Sequence, residues 1–322
     1  MARIACLGAA LQDVYLKDHD DLTEKKVDGH TYFDRLELGK KVDIDRVIFS
    51  TGGGATNAAT TFARAGHEAI FLGSIARDPA GEAILAALDK EGIDTSYIHY
   101  FRGAMHTGYS VLLLAPSGER TILTYRGASA RFDMLDEKDL ELICPDWLYA
   151  TTTRGDIETL GKFFAMAKKT NARVMYNPGV MELAEPKKLM RVLKDVDILL
   201  LNKAEAQELV PGVLLEELLA RLLNMVPGAI ITNGVMGAIA SYEGKTYRVG
   251  LYEDVKIVDS TGAGDAFGSG LLAALATGKN FHDALVFASA NSTNVVTKVG
   301  AKGGILSLGE TKLHAMPIQE VR

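Results

Sequence analysis

Four short apolar runs punctuate the second half of the chain: Trp147–Ala150, Arg173–Tyr176, 197–201 and Gly228–Thr232. Helical segments separate them, at Ile157–Lys169, 186–194 and 204–223, the last in two pieces. Buried strands that alternate with helices can close only as βαβ units, so the pattern predicts a mainly parallel sheet with helices on its faces. A hairpin follows, Ala238–Tyr242 with Lys245–Val249, and two long helices at 264–276 and 282–297 close the pattern.

The first half fits the same α/β class. A strand at 3–8 comes first, then a charged, strand-rich excursion from Asp18 to Asp45. A helix at 58–65, a strand at 69–73 and a helix at 79–91 follow, the last entered through Pro79 and stopped at Gly92. Strands are expected at 97–101, 108–114 and 120–124, the last two joined by the turn Ala-Pro-Ser-Gly at 115–118. No low-complexity linker interrupts the chain, so residues 1–322 read as one domain. Arg3 with the apolar run 4–11 faintly resembles a secretory signal, but the run is short and ends at Gln12 and Asp13 without a cleavage site.

Composition narrows the function classes. The net charge is −6 (35 Lys and Arg against 41 Asp and Glu), which disfavours nucleic acid or an anionic membrane as the main partner. No stretch nears the roughly 20 apolar residues that span a bilayer. Two cysteines, Cys6 and Cys144, make no disulfide framework and suit a reducing, cytoplasmic setting.

The 32 glycines cluster where strands hand over to helices. Free N–H groups and the helix dipole bind anions there without basic side chains. Gly52-Gly53-Gly54-Ala55-Thr56-Asn57 fails as a dinucleotide fingerprint, because Asn57 stands where a third small residue is needed. It reads either as a tight capped turn or as backbone brought close to a ligand, with Asn57 offered to hydroxyls. Asp259-Ser260-Thr261-Gly262-Ala263-Gly264-Asp265-Ala266-Phe267 is poor helix-forming sequence. Its glycines make sense if the N–H groups serve a ligand, although Asp265 also suits a plain first turn. Thr232-Asn233-Gly234-Val235-Met236-Gly237 reads equally as a turn or as a nucleotide loop. Asn202-Lys203-Ala204-Glu205 reads first as a capping box and second as a carboxylate for a hydrated metal. A Walker A loop is absent, since Ile239 stands where Gly244-Lys245-Thr246 would need its first glycine. The seven histidines lack zincin spacing, and no nucleophile elbow anchors a Ser-His-Asp triad.

The run from Asp259 to Leu272 resembles the C-terminal signature of the ribokinase-like family, the phosphofructokinase-B type sugar and nucleoside kinases. Gly52-Gly53 with Asn57 is similar to the N-terminal signature, Asn202-x-x-Glu205 to the magnesium-phosphate motif and Thr232-x-Gly234-x-x-Gly237 to the nucleotide loop. The resemblance spans essentially the whole chain. It implies a central sheet flanked by helices and a small β lid, drawn from about 14–50 plus part of 97–124, that also serves as a homodimer surface. It implies transfer of the ATP γ-phosphoryl group to a hydroxyl. Asp265 would be the general base, with the N–H groups of Gly262, Ala263 and Gly264 as an anion hole. Asp13, Gly52, Gly53 and Asn57 would bind the acceptor; Asn202, Thr232, Gly234, Gly237, Ser289 and Asn291 the nucleotide. Glu205 would hold Mg²⁺ through water, and Asp259, Thr261, Val295, Lys298 and Gly300 match the loop that binds K⁺ in ribokinases.

Departures bear on the acceptor. Leu11 and Gly54 stand where ribokinases carry Asn and Lys, and Ser289 where they often carry Asn or His. Leu11 is similar to fructokinases, ketodeoxygluconate kinases and adenosine kinases, and the long stretch from Asp13 to Gly52 resembles the adenosine-kinase lid. Tyr32 and Phe33 could stack a base, whereas Arg126 and Arg154 suit a carboxylate or phosphate. A sugar acceptor is expected, ribose included, with a nucleoside as the alternative. A catalytically inactive ligand-binding relative is a different class, and an intact Gly-Ala-Gly-Asp argues against it.

Overall fold

A computed structural model describes residues 1–17, 24–28, 30–33, 39, 41–115, 120–250, 255–310 and 318–321. Beyond Ala115, the expected turn at 115–118 lies outside these residues, as does the charged excursion at 18–23 and 34–38.

The central sheet has nine strands among the described residues. Their order is Ile318–Val321, Lys245–Val249, Ala238–Tyr242, Gly228–Thr232, Ile198–Asn202, Arg173–Tyr176, Trp147–Ala150, Arg3–Leu7 and Glu68–Leu72. The six from Gly228–Thr232 onward are parallel, and the other three continue antiparallel. The parallel strands are apolar along their length because helices cover both faces. Each face holds its own apolar layer. One layer packs Phe62, Phe71, Trp147 and Leu271; the other packs Leu148, Leu160, Phe164 and Leu199. Helix Ile157–Lys169 shows how the pattern works. Asp156 caps it by accepting from the Thr159 N–H at 3.0 Å, and Ile157, Leu160, Phe164 and Ala167 fall on one buried stripe.

A second sheet of four strands runs Arg120–Tyr125, Tyr109–Leu114, Leu11–Lys17 and Arg46–Gly52. It is antiparallel except for the parallel pairing of Leu11–Lys17 with Tyr109–Leu114. This sheet begins at Leu11, earlier than the 14 expected for the lid. Of the 97–124 segment, only its last two strands join. His99–Phe101 pairs instead with Ser74–Ala76, because the His99 N–H bonds the Gly73 carbonyl at the end of a central strand. Ile318–Val321 was not anticipated, since four residues with one apolar position at each end carry little periodic signal. The chain passes from the central strand Arg3–Leu7 through three residues into Leu11–Lys17. The small sheet therefore stands at the carboxyl ends of the parallel strands, where α/β sheets bind ligands.

Candidate active site

Helix Ala263–Ala276 starts at that edge. Gly262 caps it with φ 80°, and no side chain caps the helix. A Cβ at Gly262 would overlap Ala301, and its left-handed backbone is strained for other residues. Uncapped N–H groups therefore point into the space above the sheet, and Asp265 occupies the first turn.

Asp265 faces helix Gly54–Arg64. Asn57 Nδ2 donates to Asp265 Oδ2 at 2.9 Å. The other amide atom, Asn57 Oδ1, is buried without a hydrogen-bond partner among the described residues. Burial pushes the Asp265 carboxyl above the ordinary range, and the Asn57 hydrogen bond and the Lys302 charge oppose the rise. A Cβ at Gly54 would stand 3.2 Å from Asp265 Oδ1, so a side chain there would crowd the carboxylate.

Asp13 lies on the small sheet, opposite Ser50 and Ser110, and is 6% exposed. Burial lifts its carboxyl to about 6, against the Ser110 hydrogen bond and the Lys302 charge. A Cβ at Gly52 would overlap this carboxylate. Gly53 caps the helix that carries Asn57. Gly52 thus lies against Asp13, and Asn57 on the helix that follows lies against Asp265.

Three contributors were missed from sequence. Lys302 donates from Nζ to Thr51 Oγ1 at 2.8 Å, and burial lowers its ammonium to about 7 while Asp13, Glu91 and Asp265 pull it up. A lysine set among Gly300, Gly303 and Gly304 was the available signal. Glu182 is fully buried and accepts from the N–H groups of Thr153, Gly155 and Gly179 at 2.7, 2.9 and 3.0 Å. It fixes the loop that holds Arg154 at φ 58°. Arg120 reaches from the small sheet to Ser260 Oγ at 2.5 Å.

Two adjoining cavities continue the site, sharing Thr232, Ser260, Ala263 and Gly264. The smaller, about 230 Å³, is lined by Asn202, Glu205, Asp265 and Arg120. The larger, about 350 Å³, is lined by Gly234, Gly237, Phe267 and Ser289 and is mostly apolar. Asn291 lines neither. It is fully buried, and its amide joins the Ala266 carbonyl at 2.8 Å to the Leu306 N–H at 2.9 Å.

Glu205 forms the capping box of its first sequence reading. Its Oε2 accepts from the Asn202 N–H at 2.8 Å, and Asn202 Oδ1 accepts from the Glu205 N–H at 2.9 Å. Burial raises its carboxyl, and the Asp265 charge adds to that. No group of three or more His, Cys, Asp or Glu that could hold a metal occurs among the described residues. A single carboxylate with an uncommitted oxygen suits a largely hydrated Mg²⁺. In the expected K⁺ loop, Asp259 Oδ1 accepts from Thr261 N and Oγ1 at 2.9 and 2.6 Å, and Oδ2 from Gly300 N at 2.9 Å. The Val295 carbonyl accepts from Lys298 N at 3.1 Å. Asp259 therefore ties two loops together.

Known proteins share this fold. The pfkB family carbohydrate kinase profile matches residues 1–307. The ribokinase of Haemophilus influenzae is 29% identical over 271 residues, covering 81% of this chain and 85% of that protein. The Arabidopsis thaliana ribokinase complexed with ribose and ATP superposes with a TM-score of 0.78 at 22% identity, covering 95% of this chain and 96% of the other. The Methanocaldococcus jannaschii nucleoside kinase, an archaeal member of the ribokinase family, gives 0.78 at 20% identity, covering 96% of each chain. A mainly parallel central sheet, a small second sheet at its carboxyl edge and the Asp-x-Thr-Gly-Ala-Gly-Asp loop between them are one pattern, and the chain belongs to the pfkB family of carbohydrate kinases.

Proposed function

We propose that the protein transfers the γ-phosphoryl group of ATP to a hydroxyl of a small sugar, with Asp265 as the general base. The Asp265–Asn57 contact carries this reading. It joins a carboxyl raised by burial, in the first turn of helix Ala263–Ala276, to the helix Gly54–Arg64 that follows Gly52 and Gly53. The acceptor hydroxyl would donate its proton to Asp265. Asp13 and the orphan Asn57 Oδ1 would accept from neighbouring hydroxyls, with Gly52 and Gly53 leaving room for the ring. The N–H groups of Gly262, Ala263 and Gly264 would stabilise charge on the moving phosphoryl group. Glu205 and Asn202 would hold Mg²⁺ through water; when bound, the ion neutralises phosphate oxygens. Thr232, Gly234, Gly237 and Ser289 would line the nucleotide site. The loop of Asp259, Thr261, Val295, Lys298 and Gly300 would bind K⁺, and equal rates with and without K⁺ in Na⁺-free buffer would remove that role.

The test is coupled ADP release with pentoses, hexoses, sugar acids, sugar phosphates and nucleosides. We expect turnover with at least one sugar. Turnover with none above the rate of ATP alone would overturn the reading, and turnover with nucleosides only would select the nucleoside-kinase alternative. Sugar acids and sugar phosphates belong in the panel because of Arg126. It is half-buried, and that burial together with the Arg154 charge holds its guanidinium below the usual range, with only Asp13 opposing.

The outer face of the small sheet supports a homodimer. Phe49 and Leu123 are 71% and 59% exposed. They share one face through the register Phe49↔Val14↔Val111↔Leu123, and Val47 and Tyr125 extend the apolar surface. We expect a dimer by light scattering and a monomer after Phe49→Asp. A monomeric wild type at tens of micromolar would sink the proposal.

A further inference from the structure

One dipeptide touches both halves of the site. Ala301 packs against Gly262, where an added Cβ would overlap the alanine methyl. The next residue, Lys302, reaches the small sheet, and its Nζ donates to Thr51 Oγ1 at 2.8 Å. Thr51 is 8% exposed and pairs with Gln12 beside Asp13. Gly52 follows it and lies against the Asp13 carboxylate. The start of helix Ala263–Ala276 and the end of the acceptor strand Arg46–Gly52 are thus joined through two consecutive residues of one loop.

That loop has its own fastenings. Arg64 donates to the carbonyls of Lys302 and Ile305 at 3.0 and 3.1 Å. Glu91 accepts from the same guanidinium at 2.9 and 2.6 Å. Asn294 Nδ2 donates to the Gly304 carbonyl at 2.7 Å, and the Gly300 N–H to Asp259 Oδ2 at 2.9 Å. The backbone around Lys302 is therefore held without the help of its side chain. Setting an amine among partly buried groups costs free energy that an apolar side chain would not, so loop stability alone does not call for a lysine here. What the amine adds is a link to Thr51 from a stiff base. The side chain also lies within electrostatic reach of both Asp13 and Asp265, the acceptor ligand and the base of the reading above.

We propose that Lys302 is a positioning residue, which fixes the acceptor strand against the helix start at Gly262 and so holds the acceptor hydroxyl in line with the γ-phosphorus. This rests on the kinase reading given above. In the step, the hydroxyl oxygen bonds to the γ-phosphorus, the bond from that phosphorus to the ADP bridging oxygen breaks, and the proton goes to Asp265. Lys302 takes no part in those bond changes and acts through Thr51. Supporting residues of this kind hold reacting groups to within about 0.5 Å, and a misplacement of about 1 Å costs on the order of 10²-fold in rate. Transfer to a bound hydroxyl needs that alignment, whereas hydrolysis by a free water does not.

The experiment compares Lys302→Met with wild type in two assays, phosphorylation of the sugar that wild type turns over and ATP hydrolysis without acceptor. The ratio of the two rates should fall about 10–100-fold. Acceptor KM and Mg·ATP affinity by calorimetry should each stay within about threefold. Thr51→Val removes the same hydrogen bond from the other side, so it should reproduce the fall, and the double variant should be little worse than either single one. It also serves if Lys302→Met fails to fold. Lys302→Arg keeps a donor at the end of a long side chain and should restore part of the ratio. A lysine that only stabilises its loop would lower transfer and hydrolysis in proportion, and an unchanged ratio would overturn the proposal. Fully additive effects of Lys302→Met and Thr51→Val would overturn it as well, by showing that the lysine does not act through Thr51. A wild type that phosphorylates no acceptor would instead overturn the kinase reading, and the proposal with it.

Discussion

Asp265→Asn should lower kcat by about 10²–10⁴-fold, the usual span for a general base, while ATP binding survives. The substitution keeps the shape of the side chain, and an oxygen still faces Asn57 Nδ2, now 2.9 Å from the carboxylate. What disappears is the basic lone pair. A carboxylate in water is a weak base for a sugar hydroxyl; burial raises the Asp265 carboxyl and makes it a better one. The sign follows from that direction. The base is active when ionised, so wild-type kcat should fall as pH drops through the raised value, and the residual rate of the variant should lack that limb. The check is kcat against pH by coupled ADP release, beside ATP affinity by calorimetry. Wild-type-like turnover in the variant would show that another group takes the proton.

The parts of this site that were legible in sequence are those whose physics is local. Parallel strands buried on both faces must be apolar along their length, so Trp147–Ala150 and Gly228–Thr232 stood out as strands. Gly262 was legible because a helix start built from Gly-Ala-Gly is unfavourable without a ligand, and its φ of 80° supplies the reason no other residue suits. Asp13 came only through the family resemblance, since a carboxylate on a strand carries no mark of its own. Glu182 and Arg120 were invisible, and Lys302 faintly marked by its glycine neighbours, for a related reason. Each acts across the fold, Lys302 toward Thr51, Glu182 toward Thr153 and Arg120 toward Ser260, and none lies in a spaced motif. Asn291 came, like Asp13, only through the family resemblance. Its hydrogen bonds to Ala266 and Leu306 are those a buried amide needs, and no sequence pattern could have shown them.

Asp13→Asn should separate activity from stability. The carboxylate is expected to accept two acceptor hydroxyls, and hydrogen bonds to a charged group contribute about 1.5–3 kcal/mol each. Weakening both lowers kcat/KM for the acceptor by roughly 10²–10⁴-fold, with ATP affinity unchanged. Folding should respond with the opposite sign. Burial raises this carboxyl from 3.8 to about 6, which amounts to about 3 kcal/mol of destabilisation once both states are ionised. Below pH 3.8 the group is protonated folded and unfolded, and there is no penalty. Between there and about 6 the unfolded chain ionises first and the penalty grows; above 6 it is constant. Lys302, lowered to about 7, is mostly neutral at pH 8, so losing the Asp13 charge leaves no buried cation stranded there. Denaturant titration at pH 8 should therefore find Asp13→Asn more stable than wild type, with the gap closing toward pH 4. Wild-type kcat/KM should rise with pH through about 6, a limb the variant should lose. An equal or lower stability of the variant at pH 8 would mean that native contacts to the charged form outweigh its desolvation, and Asp13 would then be a structural anchor before it is a substrate ligand.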